Sequence, residues 1–344
     1  MAQTDLNDIL KRVSRSFYLS IRILPTPMRR PVGIAYLLAR AADSMTDSDQ
    51  IASQARTDYL QELLTLISQA SQDQSNKLSK TLMPLINDPG EYKLIQCLPE
   101  IIDCFHQLGN KDKALVQDVV KTLVLGMQND LNIFNSETHI IALKDQQCLE
   151  KYTYLVAGCV GEFWTKTAIA HMPSISHWNT HSQSNLGIEF GKALQLTNIL
   201  RDIAKDAKLG RCYLPQEDLD ALKLETSQLL NKENDNLFRP IIYKYLEQAL
   251  KYFESAESYL LSTPRTNIRL RLASIWPILI GLKTLELLAN KENYLDPDKN
   301  IKVQRKWVYS MLLRSILIVG SNSLLKSWIH SIKKHIQHKT QYNQ

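Results

Sequence analysis

Apolar residues recur at intervals of three and four along most of the 344-residue chain, over 5–24, 31–43, 56–69, 113–131, 186–207, 238–261 and 271–288. That spacing lines one face of an α-helix. No stretch of strand length alternates convincingly, so the expected fold class is all-α. The economical architecture is a single helical bundle over 1–344, with its core at about 10–320 and a basic, partly frayed end at 321–344. Breakers divide the helices at Pro25, Pro27 and Pro31, at Pro84, Pro89 and Gly90, and at Pro173, Pro215, Pro264 and Pro297. Two polar runs, 68–80 and 171–185, read as mobile connections, and 333–344 as a frayed tail. The apolar run 307–320 is short and interrupted by Arg314. A spanning helix needs about 20 such residues, so this one reads as buried or interfacial.

Composition changes the picture little. Hydrophobic residues are 44% and charged residues 22%, which excludes wholesale disorder, and only 11 glycines favour helices over tight turns. The net charge is +6, with lysines and arginines concentrated late, in "KNIKVQRK" and "SIKKHIQHK". A basic end suits an anionic membrane surface or a phosphorylated ligand, and more often such a run is simply a solvated face. Cys97, Cys104, Cys148, Cys159 and Cys212 are odd in number and lack CxxC spacing, which points to a reducing cytoplasm. The N-terminus has no apolar core of signal-peptide length, so no targeting segment is expected. Phosphate loops, dinucleotide fingerprints, nucleophile elbows and zinc-finger spacings are absent, as is a basic, aromatic-interleaved nucleic-acid module. His177 and His181 lie in a polar stretch without HExxH character, and no metal role is assigned to them.

Two acid pairs stand out. Asp43 and Asp47, in "ARAADSMTD", and Asp202 and Asp206, in "QLTNILRDIAKDAKLGRCYLP", are the only Asp-x-x-x-Asp matches in the chain. At this spacing two carboxylates leave a helix on one face, about 5–6 Å apart, where they repel. Mg²⁺ reverses that repulsion, because it takes oxygen ligands and bridges one or two carboxylates to substrate phosphates. Asn198 adds an amide oxygen to the second face, and Gln195 extends it by a turn. Arg40, Arg201 and Arg211 flank the pairs; they either neutralise the acids or offer bidentate bonds to a departing diphosphate. "SRSFYLS" at 14–20 places a serine, an arginine and aromatics together on the first helix. In "YTYLVAGCVGEFW", Gly158 and Gly161 cost helix propensity and serve either close packing or room for a long ligand.

The ordered set "SRSF", "YLLARAADSMTD", "YTYLVAGCVG" and "QLTNILRDIAKDAKLGRCYLP" resembles the squalene/phytoene synthase family, the head-to-head prenyl transferases, from about residue 10 to 320. The resemblance implies an isoprenoid-synthase helical bundle around a central cavity and Mg²⁺-dependent ionisation of a prenyl diphosphate. By matched position, Asp43 and Asp47 would bind Mg²⁺ from one wall, and Asn198, Asp202 and Asp206 from the other. Arg15, Ser16, Tyr36, Arg40, Arg201 and Arg211 would hold diphosphate, with Gln195 beside them. Phe17 would border the reacting carbons, and Tyr152 matches a tyrosine implicated in proton removal or cation stabilisation. The first motif departs from many relatives, which carry a further acid where Ser44 to Thr46 stand here. Features downstream are more similar to the squalene branch, which joins two farnesyl diphosphates through a cyclopropyl intermediate and reduces it with NADPH. There Lys302 and Arg305 would contribute to NADPH binding, and the product would feed sterol or hopanoid synthesis. Phytoene and dehydrosqualene synthases, which omit the reductant, are the alternative within the family. A catalytically silent prenyl-lipid-binding protein is the alternative outside it. Localisation is expected to be cytoplasmic, with peripheral contact on the inner face of the membrane and no nucleic-acid partner.

Overall fold

The computed structural model describes residues 3–14, 17–136, 138–291, 293–298 and 301–342. Helical periodicity becomes helix nearly throughout. In chain order the helices are α1 (Gln3–Val13), α2 (Phe17–Ile23), α3 (Thr26–Asp47), α4 (Ser53–Ser68), α5 (Gln72–Leu82), α6 (Pro89–Gln96), α7 (Leu98–His106) and α8 (Asn110–Ile133). Then follow α9 (Gln146–Thr153), α10 (Cys159–His171), α11 (Thr180–Lys208), α12 (Gln216–Ala221), α13 (Asp235–Ser262), α14 (Ile268–Ala289), α15 (Arg305–Ile318) and α16 (Asn322–Tyr342). Two compact units emerge: residues 1–131 with 163–177, and residues 132–162 with 178–344.

The first unit is organised around α3, against which α1, α2, α4, α6 and α7 pack. Its apolar face, with Ile34, Leu37, Leu38, Ala41, Ala42 and Met45, is wholly buried. Pro31 does not break it. The helix runs through that residue, five positions after its start, on a face buried by Met28 and Val32.

In the second unit α11 is central, packed on α13, α14 and a π-helical turn at Tyr154–Gly158 that follows α9. Two short parallel strands, β1 (Ile141–Leu143) and β2 (Arg211–Pro215), pair Ile141 with Arg211 and Ala142 with Cys212. They escape a periodicity reading because they span three and five residues. Gly210, at φ +76°, turns the chain from α11 into β2, a backbone region that glycine enters without a Cβ clash. The buried guanidinium of Arg271 on α14 donates from Nη1 to the carbonyl of Thr263 at 2.6 Å and from Nε to that of Val319 at 2.8 Å. Orphan carbonyls beyond the ends of α13 and α15 thereby gain a partner.

Several local expectations change. The first helix is interrupted: α1 ends at Val13, the Ser14 hydroxyl donates back to the Leu10 carbonyl, and α2 starts at Phe17. The supposed connection at 68–80 is largely α5, capped by Ser71 and buried along Ser75, Leu78, Ser79 and Leu82. Likewise, the 171–185 stretch becomes helical from Thr180, because the Asn179 side chain accepts from the Ser182 amide at 2.9 Å. The tail is not frayed through 342; α16 runs that far, with Ile329, Ile336 and Thr340 buried at helical spacing. Finally, α14 rather than 307–320 is long and apolar enough to cross a membrane, and 72% of its apolar window is buried inside the protein.

Candidate active site

Asp43 and Asp47 occupy the last turns of α3, whose final turn carries no basic residue. Acids at a helix C-terminus face the negative end of the macrodipole, so the helix itself disfavours their charge. Arg40, one turn earlier, donates from Nη1 to Asp43 and from Nη2 to Glu91 of α6. Burial opposes the Arg40 charge, but Asp43 and Glu91 outweigh it and raise its pKa above the ordinary value. Asp43 moves the opposite way from a paired acid. Burial and the neighbouring Asp47 charge push its pKa up to about 6, against the pull of Arg40. One guanidinium bonds two carboxylates, Asp43 and Glu91, and feels the charge of Asp47 as well. Arg40 also keeps a buried Nε with no hydrogen-bond partner among the described residues. Tyr36, one turn before Arg40, donates to the Val13 carbonyl at 3.2 Å.

Ser44, Met45 and Thr46, which stand where many relatives have an acid, are buried at 1%, 0% and 7% exposure. The Ser44 hydroxyl donates to the Arg40 carbonyl at 3.0 Å, and that of Thr46 to the Asp43 carbonyl at 2.9 Å. These side chains turn into the helix and the core. The third carboxylate beside the pair comes from Glu91, 51 residues after Arg40, and nothing local marks it.

On α11 the arrangement differs. Asp202 is gripped by its neighbour Arg201, whose Nε donates at 3.0 Å and Nη2 at 2.6 Å. Lys205 and Lys208 occupy the last turn, so this acid set is already compensated. Asp206 and Arg211 line a cavity of about 10 Å³, room for about one water, together with Cys212 and Tyr213. Burial, with help from Asp206, pushes the Cys212 thiol up to about 12, so it stays protonated at neutral pH and is no nucleophile.

Gln195, one turn before Asn198, donates from Nε2 to the Tyr152 hydroxyl at 3.4 Å. The Tyr152 ring stacks on Tyr213 of β2 with centroids 4.6 Å apart, and Phe134 meets Tyr213 edge-on at 5.0 Å. Tyr213 was not singled out by the sequence reading, although it lies two residues after Arg211. Glu150 of α9 anchors this region, accepting from Lys192 at 2.5 Å and Gln248 at 3.0 Å, and also from Tyr252. Those bonds hold its pKa below the ordinary carboxylate value even though burial opposes them.

The structure decides the role of the glycines. A Cβ on Gly161 would lie 1.8 Å from the Gly187 carbonyl oxygen, and one on Gly191 would lie 2.3 Å from that of Ala157. Gly161 therefore serves close backbone packing against α11, not space for a ligand, while a Cβ on Gly158 would press on the Ile188 and Tyr154 side chains at 3.1 and 3.2 Å. A π-turn at this contact is a common device at functional sites.

Arg15 and Ser16 lie outside the described residues, as does the Phe17 side chain; the Phe17 backbone begins α2. Lys302 and Arg305 are exposed, on the irregular segment entering α15 and on its first turn. No three His, Cys, Asp or Glu side chains converge as a metal cage among the described residues. Mg²⁺ does not require one, since it keeps waters and takes one or two carboxylates with substrate phosphate. The donor set of each pair, carboxylate and amide oxygens without thiolate or imidazole, fits that ion.

A family model described as squalene/phytoene synthase matches residues 10–307. A bifunctional lycopene cyclase/phytoene synthase from Blakeslea trispora is 33% identical over 224 residues, 64% of this chain and 34% of that one. The squalene synthase of Eremothecium gossypii is 23% identical over 334 residues, 95% of this chain and 71% of that one. The chain thus spans about a third of the length of the bifunctional relative. A solved structure described as the complex of TcSQS with the ligand E5700 superposes with a TM-score of 0.76 at 19% identity, covering 99% of each chain. That likeness establishes the isoprenoid-synthase helical fold.

Proposed function

The chain belongs to the squalene/phytoene synthase family, and from that premise we propose that it condenses two farnesyl diphosphates head to head and reduces the product to squalene. The observation that carries the reading is the end of α3, where burial and the neighbouring Asp47 charge disfavour the Asp43 carboxylate and Arg40 stands one turn away. A diphosphate with its metal supplies a cation to the one and an anion to the other.

In the proposed reaction one farnesyl diphosphate loses its diphosphate, and the resulting allylic cation is captured by the double bond of the second. Proton loss closes the cyclopropyl intermediate, presqualene diphosphate. Its ionisation, rearrangement and reduction complete squalene. Asp43 and Asp47, and separately Asn198, Asp202 and Asp206, hold Mg²⁺, which supplies positive charge against the departing diphosphate when bound. Arg40, Arg201 and Arg211 bind phosphate oxygens, with Arg15, Ser16 and Tyr36 assigned the same task by motif. Arg201 must release Asp202 as it does so. The Tyr152 hydroxyl, positioned by Gln195 and by the Tyr213 stack, faces proton loss or stabilises cationic charge. Phe17 is assigned by motif to border the reacting carbons. Lys302 and Arg305, two exposed cations in a stretch without acids, suit the phosphates of NADPH, which supplies hydride when bound. We place the reaction in the cytoplasm, with peripheral contact at the inner face of the membrane.

Support for squalene over phytoene is the length of the matches. The squalene synthase relative aligns over nearly the whole chain, the phytoene synthase relative over about two thirds of it. The higher identity of the latter favours the second reading, a phytoene or dehydrosqualene synthase. Incubation with farnesyl or geranylgeranyl diphosphate, with and without NADPH, separates them by hydrocarbon. Squalene formed only with NADPH is expected. A conjugated triene without NADPH replaces the first reading with the second, and no Mg²⁺-dependent diphosphate release leaves a silent lipid-binding protein.

A further inference from the structure

The outward face of α15 carries large apolar side chains where a soluble surface would be polar. Tyr309, Leu313, Ile316 and Leu317 are 55% to 78% exposed, and Leu324, just beyond the helix, is 51% exposed. Their spacing of four, three and one makes a single stripe on one side of the helix. The opposite side is fixed to the protein. Met311 and Ser315 are buried, the Trp276 indole donates to the Ser315 hydroxyl at 2.9 Å, and Arg271 holds the Val319 carbonyl at 2.8 Å. The stripe points outward because its back is locked. Contiguous exposed apolar surface of this kind marks an interaction site.

Charge identifies the occupant. From Lys299 to Gln344 the chain has nine lysines and arginines and no acid. Arg305 and Lys306, both exposed, lie four and three residues before Tyr309, hence on the same face of α15 at its N-terminal end. Arg314 is drawn aside, its guanidinium stacked 4.3 Å from the Trp328 ring, and Lys333 turns inward to Glu254 at 3.2 Å. An apolar stripe that starts from two exposed cations, with an aromatic at that border, is what a helix lying in a lipid headgroup region presents. A second copy meeting the same patch would bring cation against cation. A nucleic acid would leave the apolar stripe unused.

We propose that the Tyr309, Leu313, Ile316 and Leu317 stripe of α15, with Arg305 and Lys306 at its N-terminal end, docks the protein on an anionic phospholipid bilayer. The proposal rests on the peripheral membrane contact placed above and assigns it a surface; it is measured without substrate, so its failure leaves the catalytic reading standing.

The test is co-sedimentation of the full chain with vesicles of phosphatidylcholine containing about one third phosphatidylglycerol, against pure phosphatidylcholine. Binding on the order of tenfold stronger to the anionic vesicles is expected, weakening with salt. The Leu313→Ser/Leu317→Ser variant should lose about tenfold on anionic vesicles. Lys306→Gln should lose severalfold there and nothing on neutral ones. Circular dichroism verifies that each variant is folded. A Tyr309→Trp variant, which keeps the stripe, should show a blue-shifted emission on adding anionic vesicles. Equal binding to both vesicle types, serine variants that bind as wild type, or no emission shift overturns the proposal. So does a wild-type dimer that ignores vesicles and dissociates in the serine variant, which would assign the stripe to a second copy.

Discussion

At the end of α3, Asp43 shares Arg40 with Glu91 and sits beside Asp47, with no cation in the helix's last turn. Near the end of α11, Asp202 takes two nitrogens of Arg201, with Lys205 and Lys208 close behind. The spacing of acids is the same in both helices, yet Asp43 divides one arginine with Glu91 while Asp202 takes two nitrogens of an arginine to itself. A motif read as a string makes the two equivalent. Their surroundings make the first a site that gains stability when a cation arrives, and the second a site that must first give up an arginine.

Removing one acid from each set tests the contrast most strongly. Asp43→Asn and Asp202→Asn should each lower turnover about a thousandfold or more with helical content intact, since either removes a metal ligand. Thermal unfolding without metal should then part them. Asp43→Asn should melt at or above wild type at neutral pH, because a disfavoured charge is gone. Asp202→Asn should be unchanged or slightly less stable, as expected for a partly exposed ion pair worth about 0–1 kcal/mol.

The position of α11 can be disturbed without touching its acids. Gly161→Ala drives a Cβ into the Gly187 backbone and should cost about 1–3 kcal/mol in denaturant unfolding, with activity falling alongside. Unchanged stability would mean that the contact adjusts freely.

A pH profile sharpens the difference further. The folded pKa of Asp43, about 6, lies above its unfolded value, so between about 4 and 6 the folded state binds the extra proton. Wild-type stability without metal should therefore fall as pH rises through that window, and Asp43→Asn should flatten the slope. Activity should show the mirror image. At limiting Mg²⁺ protons compete with the cation for Asp43, so the rate should fall as pH drops through that window, and raising Mg²⁺ should carry the fall to lower pH.

Glu91→Gln gives the smallest effect. It removes a negative neighbour and leaves Arg40 to Asp43, so the acid limb should move to lower pH by less than about one unit. A shift to higher pH would assign Glu91 the opposite role. The same substitution should leave Asp202-dependent properties untouched.

Residues within a turn or two of one another determined much of this protein. The apolar period announced α3, α11, α13 and α14, and i, i+4 geometry placed each acid pair on one helix face, because helical neighbours are fixed by the chain itself. Polarity misled at α5 and α16, where Ser75, Ser79 and Thr340 take buried positions that a hydropathy pattern reads as solvent. Tertiary structure alone decided which charges surround the acids. Glu91 and Arg40 meet across 51 residues, and Tyr213 reaches Tyr152 from another element. It also chose close packing as the use of Gly161 and turned the α15 stripe outward by locking its other face. The physical reason is range. Helix periodicity is a property of adjacent turns, whereas desolvation, charge compensation and the direction of a face depend on partners that only folding brings near.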